Sequence, residues 1–235
     1  MHDTAAMIAP MPARAVLLDA LGTLVTLEDP VPRLVALLAE RHEVTVEPSL
    51  AQRALRAEMA HYREHCVRAA DAASLAALRE DCAAIVVREL GAPLVPGELL
   101  PTLLDSLRFR AFGEVAATLA RWRAEGLRLV VASNWDISLH DVLERTGLRD
   151  LVDGVATSAE VGAAKPDARL FDAALALAGV DARAAIHVGD SLEEDVAGAL
   201  GAGLQAVWLR RGGGDGEAPA GVATIRSLDE LEPAR

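Results

Sequence analysis

The apolar and polar positions of this chain fall into three stretches with different periods. Residues 15–18 (Ala-Val-Leu-Leu) form a short, uninterrupted apolar run, the pattern of a strand covered on both faces. From Asp29 to about residue 105 the pattern is helical. Asp29 can cap and Pro30 can start a helix whose apolar stripe is Val31, Leu34, Val35 and Leu38. Further helices are predicted near 50–67, 74–90 and 98–107, punctuated by Pro48, Gly91, Pro93, Pro96 and Gly97. After Gly113 helices and strands alternate. Helices are predicted at 115–125, 139–146, 168–178 and 196–200, and strands at 127–132, 154–157, 184–188, 204–209 and 222–225.

That alternation is a βαβ series and predicts an α/β fold with a parallel sheet. An all-helical block set in after the first strand of such a sheet has the look of a cap domain. Composition agrees: the chain is 52% apolar with only 3% aromatic residues, so its core is built from Ala, Leu and Val. Such a core suits helices packed on a parallel sheet better than a sandwich or barrel. At 235 residues it is long enough for one large core with a smaller companion.

The formal charge of −12 disfavours nucleic acid and anionic membranes as partners. Cys66 and Cys82 have no metal-ligand spacing and read as reduced thiols. No apolar run reaches membrane-spanning length, and residues 1–14 lack the pattern of a signal peptide, so a cytoplasmic protein is expected. The glycine-rich segment 210–221 is followed by no helix and reads as a mobile surface connection rather than a phosphate loop.

Four polar clusters stand at or just beyond predicted strand ends or in their loops, and in an open parallel sheet those ends meet at the ligand crevice. They are Asp19 with Gly22, Thr23 and Leu24; Ser133-Asn134-Trp135-Asp136; Lys165-Pro166; and Gly189-Asp190-Ser191 with Asp195 beyond. Each alone is a common turn or helix cap. Together, in this order, they resemble the four motifs of the haloacid dehalogenase (HAD) superfamily. The likeness spans residues 13–26 and 110–210, and the helical insertion resembles that family's C1-type cap. It implies a Rossmann-like three-layer core from 1–26 and 110–235, with a cap from 27–109.

The same resemblance implies Asp19 as nucleophile with Ser133 and Lys165 as catalytic partners, Lys165 organising charge, and Ser133, Asn134, Thr23 and Lys165 binding the phosphate, Thr23 also holding the first turn. It places Mg²⁺ among Asp19, Asp190, Asp195 and the backbone carbonyl of Leu21. Charge supports this: two carboxylates about 4 Å apart repel by about 4 kcal/mol at an effective dielectric of 20, and one lysine cannot balance three. A hard cation with oxygen ligands can.

Leu21 departs from the pattern. The family's phosphatases carry a second aspartate there, as acid to the leaving alcohol and base to the water. Its loss forfeits roughly 10²–10⁴-fold in rate. The resemblance thus implies a Mg²⁺-dependent phosphatase of a small phosphorylated metabolite, suited to leaving groups that need no proton. Two alternatives stand beside it: a 2-haloacid dehalogenase acting on a halogenated substrate, and a pseudo-phosphatase that only binds a phosphorylated ligand. Dehalogenases of the family carry small neutral residues where Asp190 stands, which favours the phosphatase. Arg33 and Arg41 are the candidate halide acceptors for the first alternative.

Other residues have plainer readings. His61 and His65, with Glu58 one turn before, form a solvated or substrate-facing helix face rather than a zinc site. Trp135 packs beneath the cap or lines the substrate entrance. Asp136 caps the following helix, and Glu193 and Glu194 are first-turn charges. Gly198, Gly201 and Gly203 stand in the wrong order for a dinucleotide fingerprint.

Overall fold

The computed structural model describes residues 11–212 and 216–234. Residues 213–215, inside the segment read as a mobile connection, and most of the stretch scanned for a signal peptide lie outside the described residues. The strands are β1 (Met11–Pro12), β2 (Ala15–Leu18), β3 (Val25–Leu27), β4 (Phe109–Ala111), β5 (Arg128–Ser133), β6 (Gly154–Thr157), β7 (Ala185–Gly189), β8 (Gln205–Leu209), β9 (Ala223–Ile225) and β10 (Pro233–Ala234). Six of them form one sheet in the order β6-β5-β2-β7-β8-β9, and every pairing in it is parallel.

The two faces of β2 explain its unbroken apolar run. Successive strand side chains point to opposite sides. Val16 and Leu18 join the cluster under α5 (Val115–Ala124) and α6 (Leu139–Arg145). Ala15 and Leu17 join the cluster under α8 (Ala168–Ala178) and α9 (Gly198–Gly201). The result is the expected α/β core: a parallel sheet between two helical layers.

Four helices, α1 (Pro30–His42), α2 (Pro48–His65), α3 (Ala72–Leu90) and α4 (Pro96–Ser106), follow β2 and share a hydrophobic cluster of their own. Local signals start and stop them. Asp29 Oδ1 accepts from the Val31 amide, Asp71 and Ser74 close a capping box on α3, and Gly91 ends α3 in the left-handed region. The stripe of α1 differs from its sequence reading. Leu34, Leu37 and Leu38 are buried, while Val31 and Val35 are only half-buried, because α1 packs against both α2 and α4 and its covered face turns toward both.

The antiparallel ribbon β3–β4 joins this helical block to the sheet, and β1 pairs with β10. At two or three residues each, these strands are too short to leave a period in the sequence. The helix expected at 196–200 is a wide π-helical turn, Leu192–Ala197, running into α9. No helix among the described residues is long and apolar enough to cross a membrane.

Candidate active site

The chain runs from β2 out to β5 and β6 on one side and returns to β7, β8 and β9 on the other. The carboxyl ends of β2, β5 and β7 therefore face one crevice at the point where the order reverses. Asp19 follows β2, and its amide donates to the Val188 carbonyl at 3.0 Å. The chain then turns tightly: the amides of Leu24 and Val25 both donate to the Ala20 carbonyl, and Gly22 takes φ +86°. Gly22 carries no side chain for a second reason, since a Cβ there would stand 2.7 Å from Asp190 Cγ. Arg211 braces the turn by donating to the Thr23 carbonyl at 2.8 Å, and its guanidinium lies 3.8 Å from the centre of the Phe112 ring.

Lys165, buried between the two layers of loops, joins the carboxylates. Its ammonium donates to Asp19 Oδ1 at 2.6 Å and to Asp195 Oδ1 at 2.6 Å. Ser133 Oγ, at the end of β5, donates to the same Asp19 oxygen at 3.0 Å. Burial pulls the lysine down, but the charges of Asp19 and Asp195 outweigh it and hold the ammonium above its ordinary range. Asp19 is pushed up, by desolvation first and the Asp195 charge second, against the pull of Lys165. Burial also works against ionised Asp195, yet Lys165 and His187 hold it well below the usual carboxylate range.

Oxygens of Asp19, Asp190 and Asp195 lie within 4.8 Å of one another. Partial desolvation, followed by the charges of Asp19 and Asp195, pushes Asp190 up to about 7. Lys165 pairs with two of these three carboxylates and leaves Asp190 without an ion pair of its own among the described residues. The donors are all oxygens, and their mutual repulsion is what a hard divalent cation relieves, so the residues present fit Mg²⁺.

Asn134 is not aimed at the crevice as a free donor. It clamps the lysine loop: its Oδ1 accepts from the Lys165 amide at 2.7 Å, and its Nδ2 donates to the Lys165 carbonyl and to Glu194 Oε2. Thr23 is fully enclosed, and its hydroxyl has no hydrogen-bond partner. Asp136 does not cap the following helix, since α6 has Ser138 as its N-cap and no side-chain cap bond. One oxygen accepts from the Ser138 amide ahead of α6, and the other accepts from the Tyr62 hydroxyl of α2 at 2.9 Å, tying the helical block to the sheet.

One residue with an evident role, His187, was not singled out in the sequence as a site group. His187, in the middle of buried β7, places Nε2 2.9 Å from Asp195 Oδ1 and orients that carboxylate against Lys165. The signal was a histidine inside an otherwise apolar strand, eight positions before Asp195. Of the two readings open to the helix face of Glu58, His61 and His65, the solvated one does not hold for Glu58, which is buried and lines a cavity of about 330 Å³ between the helical block and the sheet. His61 and His65 stack on each other with ring centres 4.1 Å apart, outside the carboxylate cluster.

Leu21 lines the same cavity and packs into the core cluster beside Tyr62 and Phe109. Trp135 fills both roles open to it: it packs against Phe109 with ring centres 5.1 Å apart and forms part of the cavity wall. The two candidate halide acceptors are held elsewhere. Arg33 donates to the Asp105 carbonyl and Arg41 pairs with the Asp105 carboxylate at 2.7 Å, both on the outside of α4. Cys66 and Cys82 are free and buried.

A sequence model of the haloacid dehalogenase-like hydrolases matches residues 13–203. The chain belongs to that family. This HAD-like hydrolase is 47% identical to the pyrimidine 5′-nucleotidase YjjG of Escherichia coli over 94 residues, 38% of this chain and 41% of the relative. It is 40% identical to the phosphoserine phosphatase of Thermus thermophilus over 124 residues, 52% of this chain and 50% of the relative. The chain thus spans half or less of the length of these curated relatives. The crystal structure of a HAD phosphatase from Thermococcus onnurineus superposes with a TM-score of 0.63 at 28% identity, covering 92% of this chain and 95% of that one. The protein is a HAD-type hydrolase with phosphatases among its relatives.

Proposed function

We propose that this hydrolase is a Mg²⁺-dependent phosphatase of a small phosphorylated molecule, with Asp19 as nucleophile. The observation that carries the reading is the cluster of Asp19, Asp190 and Asp195, of which Lys165 pairs with Asp19 and Asp195 alone. A dehalogenase working without metal has no use for that excess of negative charge, and phosphatases among the relatives point the same way.

In this reading Asp19 attacks phosphorus and a carboxylate–phosphorus bond forms as the bond to the leaving oxygen breaks. Lys165 holds Asp19 in place and supplies positive charge to the transferring group, and Ser133 Oγ donates to its oxygens. Water then cleaves the acyl phosphate, releasing inorganic phosphate and restoring the Asp19 carboxylate. Asp19, Asp190, Asp195 and the Leu21 carbonyl would hold Mg²⁺, which when bound neutralises charge on the phosphoryl oxygens. Asn134 and His187 act one step back, fixing Lys165 and Asp195. Thr23 serves the turn that presents Asp19.

Residues 27–109 form the cap in this proposal and residues 1–26 with 110–235 the core, the cavity between them taking the leaving group. Leucine at position 21 supplies no proton, so aryl and acyl phosphates, whose leaving groups depart as anions, are the favoured substrates. Hydrolysis of p-nitrophenyl phosphate and of matched alkyl phosphates with Mg²⁺ or EDTA tests the reading. Mg²⁺-dependent turnover that favours the aryl ester supports it. Halide release from 2-haloacids that survives EDTA would install the dehalogenase in its place, and single-turnover silence on every activated phosphate would leave a binding protein.

A further inference from the structure

Glu58 is a carboxyl group without an evident purpose in the folded core. It stands on α2, is 5% exposed, and its Oε2 is enclosed with no hydrogen-bond partner. Buried polar groups without partners are rare in native structures and ask for an explanation. Its polar neighbour is the thiol of Cys82 on α3, a weak partner for a carboxyl group. Burial pushes Glu58 above its ordinary range, which keeps the neutral acid populated closer to neutrality.

The cavity that Glu58 lines reaches Leu21 and Asn134 at the crevice and is walled by Leu78, Leu103, Phe109 and Trp135. Its volume of about 330 Å³ suits a small organic group. Three other polar side chains on its wall are committed elsewhere. Tyr62 donates to Asp136, Asp136 also accepts from the Ser138 amide, and Asn134 holds the lysine loop. Arg63 and Arg145 are exposed and Arg79 is half-buried, so none of the three is a buried group of the wall. Glu58 is a buried carboxyl group on this wall whose Oε2 has no hydrogen-bond partner among the described residues, which leaves it free to read a ligand.

Resting on the phosphatase reading, we propose that Glu58 is the specificity-determining residue of this cavity, recognising a neutral hydrogen-bond donor, a hydroxyl or N–H, on an otherwise apolar leaving group. A neutral donor fits better than either ion. An ammonium would be carried into an apolar space already flanked by Arg63, Arg79 and Arg145. A second anion at Glu58 would be set against a buried carboxyl group, since the cavity's arginines are exposed or half-buried rather than buried beside it.

The test uses pairs of phenyl phosphates whose ring carries either an ω-hydroxyalkyl chain or the matched alkyl chain, one to three methylenes long. Wild type, Glu58→Gln and Glu58→Leu are compared with Mg²⁺. Wild type is expected to favour the hydroxyl member of at least one pair by about tenfold in kcat/KM, mostly through KM. Glu58→Leu should lose that preference while turning over the alkyl member as well as wild type does, and Glu58→Gln should keep much of it.

Equal preference in wild type and Glu58→Leu overturns the inference, as does an equal loss on both members, which marks a structural role. Preference for an ω-ammonium chain overturns it too. If no phosphate ester is turned over, the phosphatase reading fails by itself. Calorimetric titration with the free ω-hydroxyalkylphenols then decides: about tenfold weaker binding to Glu58→Leu supports the inference, and unchanged or absent binding ends it.

Discussion

Gly22 and Asp190 close against each other across the crevice, backbone to carboxylate, so the turn after the first core strand sets the place of an aspartate more than 160 residues later. A methyl group at Gly22 would collide with the Asp190 carboxylate and stand at φ +86°, where side chains are strained. Gly22→Ala is therefore expected to remove Mg²⁺-dependent turnover by at least about 10²-fold and to destabilise the fold by about 1–3 kcal/mol. Mg²⁺ titration followed by calorimetry, with a thermal melt, measures both. Undiminished Mg²⁺ affinity would mean that Asp190 is not a ligand.

Lys165 is the sole cation within 2.6 Å of both Asp19 and Asp195 among the described residues. Replacing it by Met leaves two buried carboxylates facing each other, and breaking a buried ion pair from one side typically destabilises by about 3–5 kcal/mol. Lys165→Met is expected to unfold at markedly lower temperature at pH 7 and to regain part of the difference at pH 4, as the carboxylates protonate. A variant as stable as wild type at both pH values would show that the cluster is not held by this charge.

Glu58 gives a pH dependence with a definite sign. Its folded pKa is raised by burial, so the unfolded chain ionises first, near the ordinary value of 4.5. Between that value and the raised folded one, wild-type stability falls as pH rises, and above the folded pKa the loss is complete. Glu58→Gln should match wild type near pH 4 and melt at higher temperature near pH 8. Chemical denaturation across that range reads the difference directly, and a variant that is less stable at pH 8 refutes the assignment.

In the proposed phosphatase Leu21 stands where a carboxylate would meet the leaving oxygen, and its side chain is part of the apolar wall with Tyr62 and Phe109. Leu21→Asp is expected to raise kcat/KM on alkyl phosphates by roughly 10²-fold, the low end of general acid help, with little gain on p-nitrophenyl phosphate. It should lower the melting temperature, since a polar group replaces packed leucine. No gain on alkyl esters would show that another group already donates the proton.

The elements of the sheet were legible because each obeys a local period. Residues 15–18 and 154–157 were read to the residue, since an apolar run bounded by turn signals admits few other structures. The order of the motif residues was legible too, because strand ends in a parallel sheet converge whatever the helices between them do. The ribbon of Val25–Leu27 with Phe109–Ala111 was not. Its partners are 80 residues apart and too short to carry a pattern, so only the folded chain pairs them.

The sequence by itself determined the alternation of strands and helices and the residue types at the strand ends, Asp19, Leu21, Ser133, Lys165, Asp190 and Asp195, on which the proposed chemistry rests. Those follow from residue type and short-range spacing. The tertiary structure decided which polar groups are satisfied and which are left over. His187 was drawn beneath Asp195, Asn134 was committed to the lysine loop, Arg33 and Arg41 were pulled out to Asp105, and Glu58 was buried in an apolar wall. Burial and partnership depend on what packs against a side chain from distant parts of the chain, and a one-dimensional pattern does not contain that neighbour.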